Sequence, residues 1–106
     1  MLKMKNVCGV YKITCLINNK IYIGSSNNIK KRWKDHKNNL NKNIHKNMFL
    51  QRDWNKYGEE NFKFEIIEEC EIYNQYAIEQ KYLDELKPFY KDGSGYNIKK
   101  ETCIFY

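Results

Sequence analysis

Five side chains of this sequence carry the right chemistry to work together: the phenols of Tyr11 and Tyr22, the guanidinium of Arg32, the imidazole of His36 and the carboxylate of Glu79. Arg32 and His36 stand at i and i+4 in the basic stretch IKKRWKDH, one helical turn apart. Ile29, Trp33, His36 and Leu40 recur at helical spacing, which puts His36 inside an apolar stripe and Arg32 on its flank. Glu79 falls inside the apolar sector drawn by Ile78, Tyr82, Leu83 and Leu86. An ionised carboxylate turned into such a sector is costly unless a cation or hydrogen bonds compensate. Taken singly, each residue has a plain structural reading. Glu79 suits a buried ion pair with Lys or Arg, His36 a satisfied core ring, Arg32 a surface charge, and the tyrosines ordinary strand positions. Taken together they supply what phosphodiester hydrolysis needs: a base for water, a fixed cation for the developing charge, and a metal or acid for the leaving oxygen.

The elements that must position them follow from periodicity. Residues 7–15, VCGVYKITC, alternate as a half-buried strand with Val7, Gly9, Tyr11, Ile13 and Cys15 on one face. Residues 20–25, KIYIGS, form a second strand. Asn18 and Asn19 between them suit a two-residue turn, because Asn tolerates positive φ. That turn sets Cys15 opposite Tyr22 and puts Tyr11 and Tyr22 on the same sheet face; a loop with an odd residue count would separate them. Ser26 or Asn27 caps the first helix. A second helix covers 46–57, with Leu50, Trp54 and Tyr57 inward and Gly58 as its stop. Phe62, Phe64 and Ile66 alternate through a third strand at 61–69. A third helix covers 74–86, with Pro88 just past its end. After it come a DGSG turn and Gly95-Tyr96-Asn97, a short closing strand or loop. The order β-β-α-α-β-α predicts one α+β domain over 1–106, a small three-stranded antiparallel sheet flanked by helices.

Charge narrows the partner. Net charge is +6, distributed unevenly. Residues 1–28 carry four Lys and no acid, residues 29–56 a net +7, and residues 59–87 a net −6. A basic half interleaved with aromatics fits a polyanion such as nucleic acid, and fits equally a solvated Lys- and Asn-rich surface. Hydrophobic residues make up 42% and charged residues 30%, the balance of a folded domain. No apolar run reaches the length of a membrane span. The start, MLKMKNVCGVYKI, lacks a secretory signal, so the expected location is the cytoplasm, or the nucleus of a eukaryotic host. Cys8, Cys15, Cys70 and Cys103 show no CxxC spacing, which favours free thiols over a zinc site or disulfides.

With these residues in place, the sequence resembles the GIY-YIG nuclease family. The defining pair reads here as Gly9-Val10-Tyr11 and Tyr22-Ile23-Gly24, with ten residues between the tyrosines. Arg32 and His36 on the first helix, Glu79 on a later one and Asn97 in a Gly-Tyr-Asn complete the pattern over nearly the whole chain. The segment NKIYIGSSNNIKKRWKDHKNNL looks most like the homing-endonuclease and phage branch. The resemblance implies a DNA endonuclease dependent on a divalent metal, Mg²⁺ or Mn²⁺, leaving 5′-phosphate and 3′-hydroxyl ends. It implies Tyr11 as general base, Tyr22 as orienting the water or phosphate, Arg32 on the scissile phosphate and Glu79 as the protein ligand of the metal. His36 would bond near Tyr11 or the phosphate, and Asn97 would support Glu79 or the substrate. His45 falls where some relatives have a functional histidine; it joins Lys30, Lys31 and Lys34 as expected DNA contacts. Free Tyr titrates near 10, and Arg32 with a dication is expected to lower that value. A single carboxylate suits Mg²⁺, which keeps several waters. Many relatives carry a separate C-terminal DNA-recognition domain. One active site cuts one strand at a time, and the sequence does not choose among a dimer, a second visit and reorientation for duplex cleavage. Two alternatives use the same charge pattern: a catalytically degenerate nucleic-acid-binding module, and an interaction domain presenting the acidic 59–71 stretch to a basic partner.

Overall fold

The structure, a computed structural model, describes residues 7–98. Strands β1 (Gly9–Cys15), β2 (Ile21–Ser26) and β3 (Phe62–Glu69) form an antiparallel sheet in the order β2-β1-β3. Helices α1 (Ile29–Asn41) and α2 (Met48–Tyr57) lie between β2 and β3 in the chain, and α3 (Gln75–Leu86) follows β3. Short 3₁₀ turns occupy Glu59–Asn61, Ile72–Asn74 and Tyr90–Asp92. The expected α+β class and element order hold. Among the described residues, no helix is long and apolar enough to cross a membrane.

Being central, β1 buries both faces, and two cores result. Tyr11, Ile13 and Cys15 pack with Ile29, Leu40, Leu50 and Trp54 beneath α1 and α2. Val10 and Ile23 pack with Leu83 and Phe89 beneath α3. At about 25 cal/mol per Å² of apolar surface removed from water, these two layers supply the dominant favourable term.

The hairpin register differs from the expected one by two residues. Tyr11 pairs with Gly24 and Ile13 with Tyr22, and the loop inside the Cys15 N–H to Lys20 O bond is 16–19, four residues rather than two. Asn19 takes the positive φ, at 63°, and the Asn18 side chain accepts a hydrogen bond from the Lys20 N–H. A slip of two leaves the side-chain period intact, so Tyr11 and Tyr22 still share a face. The first helix is capped by Asn28, whose side chain accepts from the Lys31 N–H, rather than by Ser26 or Asn27; Ser26 instead accepts from the Asn28 N–H. Asn47 and Gly58 bound α2, the glycine at φ 89°.

Strand β3 departs from simple alternation. A bulge opposite Val10 and Tyr11 pairs Val10 with Glu68 but Tyr11 with Ile66. The extra residue, Ile67, turns toward the α3 core, while Ile66 is left 37% exposed rather than inward. Gly9 sits beside the bulge, where a Cβ would come within 2.1 Å of the Glu68 carbonyl oxygen. Leu86, expected inward, is exposed at the last position of α3. Cys8 and Cys70, far apart in sequence, meet across β1 and β3 (Cys70 N–H to Cys8 O, 2.9 Å), and both are free thiols, as is Cys15. Cys103 lies outside the described residues.

Candidate active site

The geometry begins with a close approach. Tyr11 is 2% exposed, and its ring lies over the backbone of Gly24, where a Cβ would be 2.5 Å from the phenol oxygen. The glycine of the second motif triplet is therefore the space into which the tyrosine of the first one fits. Gly24→Ala is expected to displace the Tyr11 ring and cost about 1–3 kcal/mol of stability. Denaturant unfolding checks this, and an unchanged midpoint would contradict it.

The same end of Tyr11 is held by histidine. Its oxygen is 2.7 Å from His36 Nε2, and His36 Nδ1 is 2.7 Å from His45 Nε2. The imidazole centroids are 4.9 Å apart at an interplanar angle of 26°. With the nitrogens at 2.7 Å, the rings meet edge to edge in an N–H···N bond rather than face to face. His36 is buried in the stripe of α1, which answers why a polar ring occupies that position: its partners are Tyr11 and His45. Burial foremost, then the charges of His45 and Arg32, lower His36 to about 3. Burial also lowers His45. Both rings are neutral near pH 7.

Arg32 is exposed and, among the described residues, makes no ion pair. It lines a cavity of about 430 Å³ with Tyr22, His36, His45, Lys42 and Lys46. It also borders a second hollow with Ser26, Ile72, Gln75 and Tyr76, at the start of α3. A free guanidinium between the two hollows is a ready cation for a phosphate. Lys42 and Lys46 are the lysines flanking the cavity, and sequence reasoning missed them because they belong to the α1–α2 connection. Lys30 and Lys34 instead line a separate hollow with Trp33 and Lys37, and Lys31 pairs with Asp35 at 3.2 Å. His45 lies apart from those three lysines: it is bonded to His36 and lines the same cavity as Arg32, Lys42 and Lys46.

Glu79 reaches the site from the other face of the sheet. Ser25 pairs with Val10 and so faces α3, and its hydroxyl donates to Glu79 Oε1. Tyr11 and Tyr22 share the opposite face, so the groups straddle the edge strand β2. They nonetheless lie within electrostatic reach of one another. The Glu79 charge raises both phenols, and Arg32 lowers Glu79. Burial, partly offset by Ser25 and Arg32, raises Glu79 above the usual carboxylate range. No salt bridge to Glu79 occurs among the described residues, so the ion-pair reading does not apply there.

Burial raises Tyr11 well above 10 and Tyr22 above 10; for Tyr11 the neighbouring Tyr22 adds to this. Arg32 acts in the expected direction on both, but desolvation outweighs it, so both are phenols near pH 7. Asn97 pairs its side-chain amide with the backbone of Ile23, accepting at 2.8 Å and donating at 2.9 Å. It is buried and braces β2 between Tyr22 and Gly24. In the described structure its amide is engaged with the Ile23 backbone, so its support of the site runs through β2.

A larger cavity of about 820 Å³ beside Cys8 and Cys70 is lined by Glu68, Glu69 and Glu71. Its charge repels a polyanion. Burial, then Cys8, pushes the Cys70 thiol up to about 11, leaving it an unreactive thiol. Elsewhere the acids of β3 balance local lysines: Glu65 lies near Lys12 and Lys63, and Glu68 near Lys81.

A small α+β layer structure with paired phenols, a free arginine and one inward carboxylate defines a class, and comparison with known proteins agrees. The family description "GIY-YIG catalytic domain" matches residues 7–97, and the chain belongs to that family. It is similar to Intron-associated endonuclease 1 of Enterobacteria phage T4, 37% identical over 94 residues, which span 89% of this chain and 38% of the phage protein. It therefore spans under two fifths of that relative. Among solved structures it resembles the catalytic domain of homing endonuclease I-TevI, with a TM-score of 0.75, 36% identity, and 87% of this chain and 98% of that one covered. A point variant of the same catalytic domain gives a TM-score of 0.78 at 36% identity, covering 91% and 97%.

Proposed function

We propose that this domain is a DNA endonuclease that hydrolyses phosphodiester bonds with the help of a divalent cation. The observation that carries the reading is the Tyr11–His36 bond beside a cavity lined by Tyr22, Arg32, Lys42 and Lys46 together with Asp35, with the Glu79 carboxylate held by Ser25 across β2 and within electrostatic reach of both phenols. Arg32 takes the scissile phosphate, and its planar fork can bind two oxygens. Tyr11, as phenolate, accepts a proton from the attacking water; Arg32 and hydrogen bonding from His36 favour that state. Tyr22 orients the water or phosphate. Asn97 acts one step back, fixing the backbone that carries Tyr22.

The donor set fits a hard cation. Among the described residues no three His, Cys, Asp or Glu cluster as a metal cage, which argues against zinc. Glu79 offers one half-buried carboxylate held by Ser25, which suits Mg²⁺ or Mn²⁺ completing its shell with water and phosphate oxygens. Bound there, such an ion would neutralise charge on the phosphate and the leaving oxygen. In this proposal the domain works on cellular DNA in the cytoplasm or a host nucleus, and a separate C-terminal domain supplies sequence recognition. The short coverage of the phage relative supports that division.

The test is cleavage of supercoiled plasmid. Mg²⁺ is expected to produce nicked or linear DNA, and EDTA to abolish both. DNA binding without cleavage under any divalent metal would favour the degenerate binding module instead.

A further inference from the structure

The Tyr11–His36–His45 chain can be drawn with its protons running either way, and one backbone group decides the direction. The Asn47 N–H donates to His45 Nδ1 at 3.0 Å. That nitrogen must therefore be unprotonated, and a neutral His45 carries its proton on Nε2. His45 Nε2–H then donates to His36 Nδ1, and neutral His36 in turn carries its proton on Nε2, aimed at the Tyr11 oxygen. The reverse direction would need a proton on His45 Nδ1 facing the Asn47 N–H, two donors head to head.

The end of the chain is rigidly held. Asn47 is the N-cap of α2, accepting from the Phe49 and Leu50 N–H groups. Its side-chain NH₂ donates to the Tyr96 carbonyl, next to Asn97. The His45 N–H donates to Gln51 Oε1, and Gln51 in turn donates to the Leu40 carbonyl at the end of α1. The α1–α2 connection is thus tied to both helices and to the loop that braces β2.

We propose that His45, oriented by the Asn47 backbone, is a positioning residue that fixes His36 as the Nε2–H tautomer, so that His36 donates to the Tyr11 oxygen and leaves the phenol's own proton to an acceptor other than His36. The proposal rests on Tyr11 being the base. It gives that role a physical support: the phenolate is met by a donor already in place, and His36 need not gain or lose a proton.

Long-range ¹H–¹⁵N correlation spectra of the whole protein at neutral pH test it without any cleavage. The chain has two histidines, so two ring systems appear, and His45→Gln assigns them. Both rings are expected to show an unprotonated Nδ1 and a protonated Nε2. A protonated His36 Nδ1 would overturn the proposal. In plasmid cleavage, His45→Ala is expected to lower kcat on the order of 10²-fold with KM nearly unchanged. His45→Gln, whose amide N–H can still donate to His36 Nδ1, is expected to recover most of that loss. Wild-type kcat in His45→Ala, or no recovery with Gln, would also overturn it. The two readings separate cleanly. Full activity in Tyr11→Phe with the expected tautomers removes the base assignment and leaves the tautomer chain. An inactive Tyr11→Phe with the opposite tautomers does the reverse.

Discussion

Replacing Glu79 with Gln is expected to abolish metal-dependent cleavage, by at least about 10³-fold or about 4 kcal/mol of transition-state stabilisation, while leaving the fold and DNA binding in place. The substitution keeps size and shape and removes one charge. Gln Oε1 can still accept from Ser25, so the local geometry is retained. What is lost is the anionic oxygen, and among the described residues no His, Cys, Asp or Glu cluster is available to replace it. The stability consequence has the opposite sign. Burial raises the folded pKa of Glu79, so ionisation is less favourable in the folded chain than in the unfolded one. That unfavourable contribution is absent at low pH and grows as pH rises through the carboxylate range. Near neutrality the Gln variant should therefore melt at a higher temperature than wild type, the usual signature of a site shaped for chemistry rather than stability. Plasmid cleavage, DNA binding and a thermal melt measure all three effects. A Glu79→Gln protein with full Mg²⁺-dependent activity would refute the assignment.

Arg32→Ala should follow closely, with kcat falling about 10²–10³-fold, or about 2.7–4 kcal/mol. Arg32 is exposed and, among the described residues, ion-paired to nothing, so its removal breaks no structural contact of that kind and stability should change little. The loss belongs to the phosphate. Arg32→Lys should recover only part of it, because an ammonium cannot present the two-pronged donor set. A second readout follows from electrostatics. Arg32 lowers Tyr11, Tyr22 and Glu79, against the larger effect of burial. Without it the phenolate forms at higher pH, so the rising limb of the rate profile should move up. A profile with an unmoved limb would mean that Tyr11 ionisation does not control the rate. Expected DNA affinity falls too, by less than the rate, since Lys42 and Lys46 still edge the cavity.

Much of this was legible before folding because the relevant signals are local. The strand and helix spans came from periodicity and caps, and the order β-β-α-α-β-α followed. The faces of Tyr11 and Tyr22 came out right despite a wrong loop length, because a slip of two residues leaves a period of two unchanged. The polarity of His36 and Glu79 inside apolar stripes marked them as groups needing partners. Local rules failed where the partner is distant. Nothing in FKFEIIEE announces the bulge that turns Ile67 inward, because it is set by pairing with β1 and the backbone contact at Gly9. From sequence His45 reads as a DNA contact at a position where some relatives have a functional histidine, and its link to His36 depends on how the α1–α2 connection folds back. From sequence Asn97 reads as a support for Glu79 or the substrate, and only the return of the chain past β2 shows its amide bound to the Ile23 backbone.

The pKa expectation shows the same division. From sequence, an arginine together with a bound dication argues for a lowered phenol. In the fold Tyr11 is 2% exposed, and desolvation dominates the nearby charge. Burial belongs to the whole packed molecule and has no signature in neighbouring letters.

By itself, then, the sequence determined the chemical inventory, the element types and the family pattern, since each depends on residue identity and short-range spacing. Only the tertiary structure decided that the groups straddle β2, that Glu79 approaches by way of Ser25, and that Asn47 gives the histidine pair a direction. Those relations are contacts between residues remote in the chain, and their geometry is set by packing around a central strand buried on both faces.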